Sequence, residues 1–492
     1  MPQRLMTTPQ PHERFRALFE PRGIVVAGVA SHPGKFGFVA YHNIRACGYR
    51  GALYGTNLEE VDVLGERTYR SVAEVPDADL DLVFLCVPAT AAAEVLRQAA
   101  DRGITAAFCT PAGYAETGAD GRQLQEELSA LADDLGILLA GPNGQGLIST
   151  PVDLCAQIVA PMPPAGPIGI ASQSGGFVSA FANLARQSSV GISRAISVGN
   201  SAQVGVADFM EWFVSDAATS VGLGYIEHIA PNTVERLAGV CAEMPVVLVR
   251  GGRSTRGADA VAVHTGSEAG GDPTDEALRE AGVTVAASVP EAYRVAATFA
   301  TQPLPKGPRT LVFGTAGGWG VVTADAVEAS ELELIDLPAD LFAEIDKRVP
   351  PRWSRANPVD LAGGETRDTI PELLPIIAAH GQVDAVIYLG LGIQSNTAAL
   401  QQAGRYYPEY GLERVVEYHR RQDTRFAQAA DTASRTTDKP VITATELSVT
   451  NPQNAGPSAV RASGRFCHGS ADEAVTALEH MWRYARRKRY KT

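Results

Sequence analysis

Short apolar runs alternate with stretches of helical periodicity along the first third of the chain. Runs rich in β-branched and aliphatic residues predict strands at residues 23–28, 52–55, 82–87 and 106–110. The stretches 91–102 and 121–135 between them are amphipathic and predict helices. Strands that alternate with helices of about 10–15 residues imply a parallel, doubly wound sheet.

Two later segments repeat one design, in which an apolar strand runs into a double glycine and an amphipathic helix. Residues 168–176 follow the proline-rich stretch 161–167, and residues 310–320 follow the linker 302–308. We interpret both segments as the starts of flavodoxin-like units. The predicted architecture is α/β: a Rossmann-like domain followed by two flavodoxin-like, parallel-sheet domains. Their predicted bounds are residues 1–150, 151–302 and 303–492.

Composition narrows the class of protein. The chain has 492 residues, is 45% hydrophobic and carries a net charge of −13, which disfavours nucleic acid or an anionic membrane as its main partner. Its six cysteines form no C-x-x-C pair, so the sequence predicts neither a zinc site nor a disulfide framework. Neither a signal peptide nor an apolar run of about 18 residues is evident, and we expect a cytoplasmic protein.

The glycine turn that follows the first strand, Gly28 to Gly37, is a candidate phosphate site. A turn at a helix N-terminus presents backbone N–H groups to an anion, and Lys35 adds a positive charge. Ala30 replaces the second glycine of a dinucleotide fingerprint, and Asn57 stands where an acid would bind the ribose of NAD. A nucleotide-bearing ligand other than NAD is favoured. The alternative is a turn that serves only the fold.

His264 begins a run of small residues, 264–270, which predicts a flexible loop. The strand 246–249 and the glycine-rich turn 251–254 precede it. A neutral imidazole on such a loop, close to anion-binding groups, can act as a nucleophile toward phosphorus.

Motifs along the chain carry a resemblance to a known family. They include Asn43-Ile44, Gly48-Tyr49-Arg50-Gly51, Gly141-Pro142-Asn143, Ser172-Gln173-Ser174-Gly175, Ser197-Val198-Gly199-Asn200, His264-Thr265-Gly266 and Asn357-Pro358-Val359-Asp360. These motifs occur in the same order in the NDP-forming acyl-CoA synthetases, and the chain resembles that family. Its members include succinyl-CoA synthetase and ADP-forming acetyl-CoA synthetase. The likeness covers about residues 15–365 and is looser beyond them.

The resemblance implies a CoA-binding first domain. The positions that match the family's CoA site are Ser31, Gly34, Lys35, Phe36, Gly37, Asn57, Val87, Pro88, Ala112, Gly113 and Asn143.

The resemblance also implies phosphoryl transfer through a histidine. His264 matches the phosphorylated histidine, and Glu227 matches the glutamate that orients it. Two glycine turns would hold the phosphate at helix N-termini, with Thr315 as a further hydroxyl donor. The expected phosphate-binding residues are Ser172, Ser174, Gly175, Gly176, Gly317 and Gly318. The pair Asn357 and Asp360 either lines this site or only forms a turn.

Three positions depart from the family pattern. Gly144 replaces a frequent cysteine, Val263 replaces a serine, and Trp319 replaces a small residue or proline. Trp319 either shapes the acyl pocket or serves packing. The acyl group therefore stays open: acetate, a branched acid and an aryl acid all fit.

The family also requires an ATP-grasp domain that binds nucleotide and Mg²⁺, for which this chain offers no stretch. We therefore expect an α-subunit that works with an ATP-grasp β-subunit, CoA, a small carboxylic acid and either ATP or GTP, in an oligomer. One alternative is a CoA- or acyl-CoA-binding regulatory protein without catalysis, against which His264 and Glu227 weigh. Another is an NAD-dependent dehydrogenase, which Ala30 and Asn57 disfavour.

Overall fold

The computed structural model describes residues 11–230, 232–265 and 274–490, and for Pro11, His264, Thr265 and Tyr490 only the backbone. The chain divides into two compact units. Unit 1 comprises Met1–Gln187 and Gly191–Ala292, and unit 2 comprises Ser188–Val190 and Tyr293–Thr492. Both units are built on parallel sheets with intervening helices, so the predicted α/β class is confirmed.

The first sheet of unit 1 is parallel and doubly wound. Its strands are β1 (Gly23–Ala27), β2 (Ala52–Thr56), β3 (Thr68–Tyr69), β4 (Leu82–Leu85), β5 (Ala106–Cys109) and β6 (Leu138–Ala140). The helices before and between them are α1 (Pro11–Phe19), α2 (Phe36–Ala46), α3 (Ala92–Asp101) and α4 (Ala119–Leu135). The strands lie in the order β3-β2-β1-β4-β5-β6, and the four predicted strands begin where the sequence pattern places them.

Alternate residues of β1 pack on opposite faces of this sheet. Ile24 and Val26 share a core with Ile44 of α2, whereas Val25 shares the opposite core with Leu96 of α3. Because helices cover both faces, the strands are apolar throughout rather than alternating.

The second sheet of unit 1 combines a parallel core with an antiparallel hairpin. Its strands are β7 (Gly146–Ser149), β8 (Leu154–Gln157), β9 (Ala165–Ser172), β10 (Ile192–Ser197), β11 (Val221–Ile226), β12 (Val246–Arg250) and β13 (Thr284–Ala286). The helices are α5 (Gly175–Ser188), α6 (Val206–Ser215), α7 (Thr233–Glu243), α8 (Thr255–Thr265), α9 (Asp275–Ala281) and α10 (Val289–Thr301). The order is β13-β12-β11-β9-β10-β7-β8, so the sheet begins at Gly146, ahead of the predicted boundary at residue 150.

Unit 2 contains the third sheet, in the order β15-β14-β17-β18-β19, with β16 paired to the end of β14. The strands are β14 (Arg309–Gly314), β15 (Glu333–Leu334), β16 (Val359–Asp360), β17 (Ala385–Leu389), β18 (Val441–Ala444) and β19 (Cys467–His468). The helices are α11 (Gly317–Glu328), α12 (Ala339–Asp346), α13 (Thr369–Ala379), α14 (Ile393–Ala403), α15 (Leu412–Thr437), α16 (Leu447–Thr450), α17 (Ala455–Ala462) and α18 (Ala471–Tyr490). Among the described residues, no helix is both long and apolar enough to cross a membrane.

A buried arginine joins the N-terminal segment to the second sheet within unit 1. The side chain of Arg194 on β10 is 2% exposed and donates to Asp216 at 3.0 Å and to Glu20, just after α1, at 2.5 Å. Its guanidinium carbon lies 5.8 Å from the ring centre of Trp212. Burial acts to raise the pKa of Asp216, but hydrogen bonds from Arg194 and Thr219 lower it below its usual value.

Replacement of Arg194 by methionine is expected to destabilise unit 1 by about 3–5 kcal/mol at neutral pH, because two carboxylates lose their buried cation. The lowered pKa of Asp216 contributes stability above its unfolded pKa, and this contribution is lost as the pH falls through the folded pKa. The variant lacks this contribution, so its difference from wild type should shrink as the pH falls below about 4. Thermal unfolding at several pH values measures both effects.

The matched control is Arg45→Ala, which removes an ion pair to Glu66 whose side chains are 40% and 48% exposed. An exposed pair is worth about 0–1 kcal/mol. An equal loss in both variants, or a difference independent of pH, would contradict the assigned role of Arg194.

Candidate active site

In each sheet the strand order reverses at one pair of adjacent parallel strands. The loops that follow these two strands therefore run to opposite faces of the sheet. In the first sheet these strands are β1 and β4, in the second β9 and β11, and in the third β14 and β17. Ligands of doubly wound sheets bind beyond the carboxyl ends of such strands, where the two loops separate. Most of the predicted site residues follow one of these six strands.

In the first sheet, the glycine turn after β1 contacts the loop after β4. Gly28 has φ +91°, and a Cβ there would lie 2.7 Å from the carbonyl oxygen of Cys86 and 3.0 Å from Val87. A Cβ at Gly37 would lie 2.1 Å from the carbonyl oxygen of Gly28, so α2 begins directly against β1. These glycines are required by the close approach of backbones.

The other residues predicted to bind CoA lie around this crevice, with one exception. Ser31, Gly34, Lys35 and Phe36 are exposed in the turn, and Pro88 is exposed after β4. Gly113 follows β5, with Ala89 3.6 Å from its Cβ position, and Ala112 beside it is exposed. The amide of Asn57 donates to Val29 O at 2.7 Å and accepts from the N–H of Glu59 at 2.8 Å, so it braces the fold at the end of β2.

Asn143 is the exception, because it lines a polar cavity at the second sheet. This cavity of about 300 Å³ lies at the carboxyl ends of β9 and β11. Its lining residues are Ala115, Arg122, Gln125, Asn143, Gln145, Gln173, Ser174, Gly175, Gly199, Asn200, Glu227 and His228. The structure thus brings Ser174, Gly175 and Glu227 together, as the predicted phosphate chemistry requires.

The turn after β9 presents the N-terminus of α5 to the cavity. Ser172 Oγ accepts from the N–H of Ser174 at 3.2 Å and donates to Ser174 O at 2.7 Å, which closes the turn. The helix then begins at Gly175, and the first N–H groups of a helix have no partner within it. This end of α5 therefore favours an anion.

Glu227 is buried at 6% exposure immediately after β11. Its Oε2 accepts from the hydroxyl of Tyr225 at 2.8 Å. Burial and the neighbouring carboxylate of Glu227 raise the pKa of Tyr225, which keeps that hydroxyl a donor. Gln173 joins the two loops: its Oε1 accepts from the N–H of Glu227 at 2.6 Å, and its Nε2 donates to His228 O at 3.0 Å.

His264 lies in the last turn of α8 rather than on a loop, so the predicted loop is wrong up to residue 265. Ser254 Oγ accepts from the N–H of Gly257 at 3.1 Å and caps the helix, which alanines then extend. The turn before the helix lies beside Glu227, whose Cβ is 3.1 Å from the Cβ position of Gly251, and the helix itself approaches the turn at Ala115–Thr117. The side chain of His264 and residues 266–273 lie outside the described residues.

Several polar residues of the cavity were not predicted as site residues. Asn200 accepts from the side chain of Asn143 at 3.3 Å and donates to Glu116 at 2.6 Å. Burial acts to raise the pKa of Glu116, but hydrogen bonds from Asn200 and three backbone N–H groups lower it. Gln173 and Asn200 stand inside motifs already noted in the sequence, whereas Arg122 on α4 has no sequence signal.

Gly144 stands where the resemblance leads us to expect a cysteine, and close packing explains the absence of a side chain there. A Cβ at Gly144 would lie 2.6 Å from Ser197 O and 2.7 Å from the ring of Phe108. This backbone arrangement excludes a side chain. Val263, the second departure, is 83% exposed on α8.

In unit 2, the double glycine opens α11 after β14. The Cβ position of Gly317 lies 2.8 Å from Asp360 Oδ2, while that of Gly318 is open. Asn357 serves the fold: its Nδ2 donates to Thr310 O at 3.0 Å and to Ile335 O at 2.9 Å, and its Oδ1 accepts from Val312 N–H at 2.9 Å. Helices α5 and α11 belong to different compact units, and a joint phosphate site of the two stays a prediction.

Comparison with known proteins assigns each sheet to a family. Residues 22–150 match the model of a CoA binding domain, residues 165–299 that of a succinyl-CoA ligase like flavodoxin domain, and residues 310–392 that of a ligase-CoA domain.

Full-length relatives span most of the chain. The α subunit of acetate–CoA ligase (ADP-forming) I from Pyrococcus furiosus is 31% identical over 413 residues, or 82% of this chain and 88% of the relative. The α subunit of acetate–CoA ligase (ADP-forming) II from the same organism is 32% identical over 373 residues, which are 75% of this chain and 80% of the relative. Among solved structures, the dinucleotide-forming acetyl-coenzyme A synthetase 1 of Candidatus Korarchaeum cryptofilum, in complex with phosphate and ADP, has a TM-score of 0.82. It is 27% identical, with 97% of this chain and 98% of that chain covered.

The two glycines that open α5 differ in the room around them. A Cβ at Gly175 would lie 2.2 Å from the side chain of Gln145, whereas the nearest atom to a Cβ at Gly176 is Ser174 Oγ at 3.7 Å. Gly175→Ala is therefore expected to cost about 1–3 kcal/mol through overpacking. Gly176→Ala is expected to be neutral or stabilising, because alanine favours helix. Thermal unfolding compares the two variants.

The double variant Gly175→Ala/Gln145→Ala identifies the cause. Removal of the Gln145 side chain should recover much of the stability that Gly175→Ala loses, because the two residues are coupled by contact. Additive losses would mean that the clash with Gln145 is not responsible.

Proposed function

This chain belongs to the NDP-forming acyl-CoA synthetases, and we propose that it acts as the α subunit of an acid–CoA ligase. The reaction interconverts acyl-CoA, phosphate and a nucleoside diphosphate with a carboxylic acid, CoA and a nucleoside triphosphate. Family membership makes the chain an acid–CoA ligase. The acting residues and the partner are our proposal.

The observation that carries the proposal is the polar cavity of the second sheet. There a helix N-terminus at Gly175 and the buried carboxylate of Glu227 line one space of about 300 Å³. An anionic phosphate fits the first group, and an imidazole N–H fits the second. Helix α8, which ends in His264-Thr265, packs against the turn at Ala115–Thr117, and Ala115 lines the same cavity, which supports His264 as the third member of this site.

In the proposed reaction, an oxygen of phosphate attacks the thioester carbonyl of acyl-CoA. The C–S bond breaks, CoA leaves as a thiol after protonation, and an acyl phosphate remains. One ring nitrogen of His264 then attacks the phosphorus, and the P–O bond to the acyl group breaks, which releases the carboxylate. Phosphohistidine finally gives its phosphoryl group to the nucleoside diphosphate.

The residues that follow β9 and β11 have distinct roles in this proposal. Glu227 accepts a hydrogen bond from one ring nitrogen of His264, so that the other nitrogen presents its lone pair to phosphorus. The N–H groups at Gly175 and Gly176, with the hydroxyl of Ser174, hold the phosphoryl oxygens. Ser172 holds the shape of the turn. In unit 2, we propose the N-terminus of α11 at Gly317 and Gly318 as a further phosphate-binding turn.

We assign the CoA site to the crevice of the first sheet. The exposed turn at the N-terminus of α2 suits the phosphates of CoA, and Lys35 supplies a cation. The loop after β4, with Val87 and Pro88, and the turn at Ala112 and Gly113 border the same crevice.

A separate chain completes the reaction in this proposal. The two Pyrococcus relatives are named as α subunits, which supports a partner subunit for this chain as well. We assign binding of Mg²⁺ and of ATP or GTP to an ATP-grasp β-subunit. The partner, rather than this chain, then decides which nucleotide is used.

The half-reaction with labelled phosphate tests the proposal without the partner. Acyl-CoA and ³²P-phosphate are expected to label the purified chain with an acid-labile, alkali-stable bond. His264→Asn should abolish the label, and Glu227→Gln should slow labelling by at least about tenfold, the effect of about 1.4 kcal/mol in the barrier. Acid and alkali treatment of the labelled protein, followed by peptide mapping, locates the phosphate.

His228, which also lines the cavity, is the rival acceptor. Loss of the label in His228→Asn but not in His264→Asn would overturn the assignment of the nucleophile. Saturable CoA binding without labelling by any acyl-CoA would instead favour a CoA-binding regulatory protein without catalysis.

A further inference from the structure

Two cysteines of unit 1 lie where helix α2 packs against strand β8. Cys47 directly follows the last residue of α2, and Cys155 lies on β8, the edge strand of the second sheet. Both are free thiols, and Cys47 is half-buried while Cys155 is 1% exposed. Neither cysteine lines the polar cavity, so the proposed phosphoryl chemistry gives them no role.

One hydrogen bond fixes how α2 lies along β8. The side-chain amide of Asn43 donates to Gln157 O at 2.7 Å. Cys47 lies one helical turn after Asn43, whose carbonyl oxygen accepts from the Cys47 N–H at 3.0 Å. Cys155 lies two residues before Gln157 on the strand. Both cysteines are therefore close to this bond along their own segments.

A second contact lies on the other side of the two cysteines. The Cβ position of Gly48 is 3.9 Å from Asp153 Cβ, just before β8. The helix and the strand therefore run in opposite directions here, and Cys47 and Cys155 lie opposite each other between the two contacts. Burial raises the pKa of the Cys155 thiol, and the Cys47 thiol beside it raises that pKa further through its charge and a hydrogen bond.

The two thiols differ in how an oxidant can reach them. Cys47 is half-buried, so a small molecule from the solvent can contact its sulfur. Cys155 is enclosed, and its Sγ lies 4.0 Å from Ala160 O. In thiol–disulfide exchange, a thiolate attacks a disulfide sulfur and forms a mixed disulfide, which a second thiolate then resolves. Cys47 suits the first step and Cys155 the second.

We propose that Cys47 and Cys155 form a redox modification site, at which a low-molecular-weight disulfide oxidises both thiols to one disulfide bond. The Cys47 thiolate attacks one sulfur of the oxidant, whose S–S bond breaks, and the first thiolate leaves and takes up a proton. The Cys155 thiolate then attacks Cys47 Sγ and expels the second thiolate, which is protonated in turn. Two electrons pass from the cysteines to the oxidant, and two protons end on the two released thiols.

The proposed bond joins the two sheets of unit 1. Helix α2 packs on the first sheet, and β8 belongs to the second. The bond closes a loop of about 100 residues, and a crosslink across so long a loop restricts the unfolded chain strongly. The inference does not depend on the proposed ligase function, because it uses neither the cavity nor the crevice of the first sheet.

Treatment of the native chain with oxidised glutathione tests the pair. Without denaturant, the protein is expected to lose about 2 Da, the mass of two hydrogen atoms, through the exchange described above. Peptide mapping should then give a crosslinked peptide of Cys47 and Cys155, and dithiothreitol should restore the original mass. The Tm should rise by at least about 5 °C on oxidation, because the loop is closed in the unfolded chain.

Single variants test the order of the two steps. Cys47→Ser should abolish the crosslink and leave the buried Cys155 unmodified. Cys155→Ala should stop the reaction at a glutathione adduct on Cys47. If Cys155→Ala does not fold, Cys47→Ser at the half-buried position decides the question. Cys241→Ala is the matched control, since Cys241 lies on α7 at 4% exposure, and this variant should form the crosslink as wild type does.

Three results would overturn the inference. One is a crosslink between other cysteines, such as Cys86 and Cys109 at the ends of the adjacent strands β4 and β5. Another is a wild-type chain that stops at a glutathione adduct or stays unmodified. The third is a Tm that the bond leaves unchanged or lowers, since the thiols would then have to leave their native positions to meet. None of these results bears on labelling by ³²P-phosphate, which tests the proposed function separately.

Discussion

The candidate site depends on one constraint of parallel sheets. A chain that returns to the same edge of a sheet must cross over by a right-handed connection, so strands added on the two sides of a central strand send their helices to opposite faces. The loops after β9 and β11 separate for this reason, and a polar space remains between them. Glu227 and Gly175 meet there without any sequence proximity, because parallel strands end at the same edge. The crevices beyond β1 and β4, and beyond β14 and β17, arise in the same way.

The sequence was sufficient for the parts of the fold that depend on local pattern. Apolar runs without alternation indicated strands covered on both faces, and the observed strands begin at the expected residues in the first sheet. The family motifs placed Gly28 and Gly175 at strand-to-helix turns. The structure shows why these glycines are needed, since backbone or side-chain atoms occupy the space of a Cβ at each position.

Features that depend on contacts between distant parts of the chain could not be predicted from the sequence. Asn143 carried a family match to the CoA site, yet it lines the cavity of the second sheet because the loop after β6 approaches the loop after β10. The run of small residues at His264 was interpreted as a loop, but Ser254 caps a helix and alanines favour its extension through that residue. Small residues are compatible with both states, and only the cap decides between them. The bonds of Asn357 to three backbone groups likewise require strands that sequence reading does not align.

Gln173 has a consequence for how such proteins can diversify. A single amide joins the turn after β9 to the loop that carries Glu227, through bonds of 2.6 and 3.0 Å. A substitution that moves one of these loops therefore moves or breaks the bonds of Gln173 to the other, so changes in the two loops are coupled.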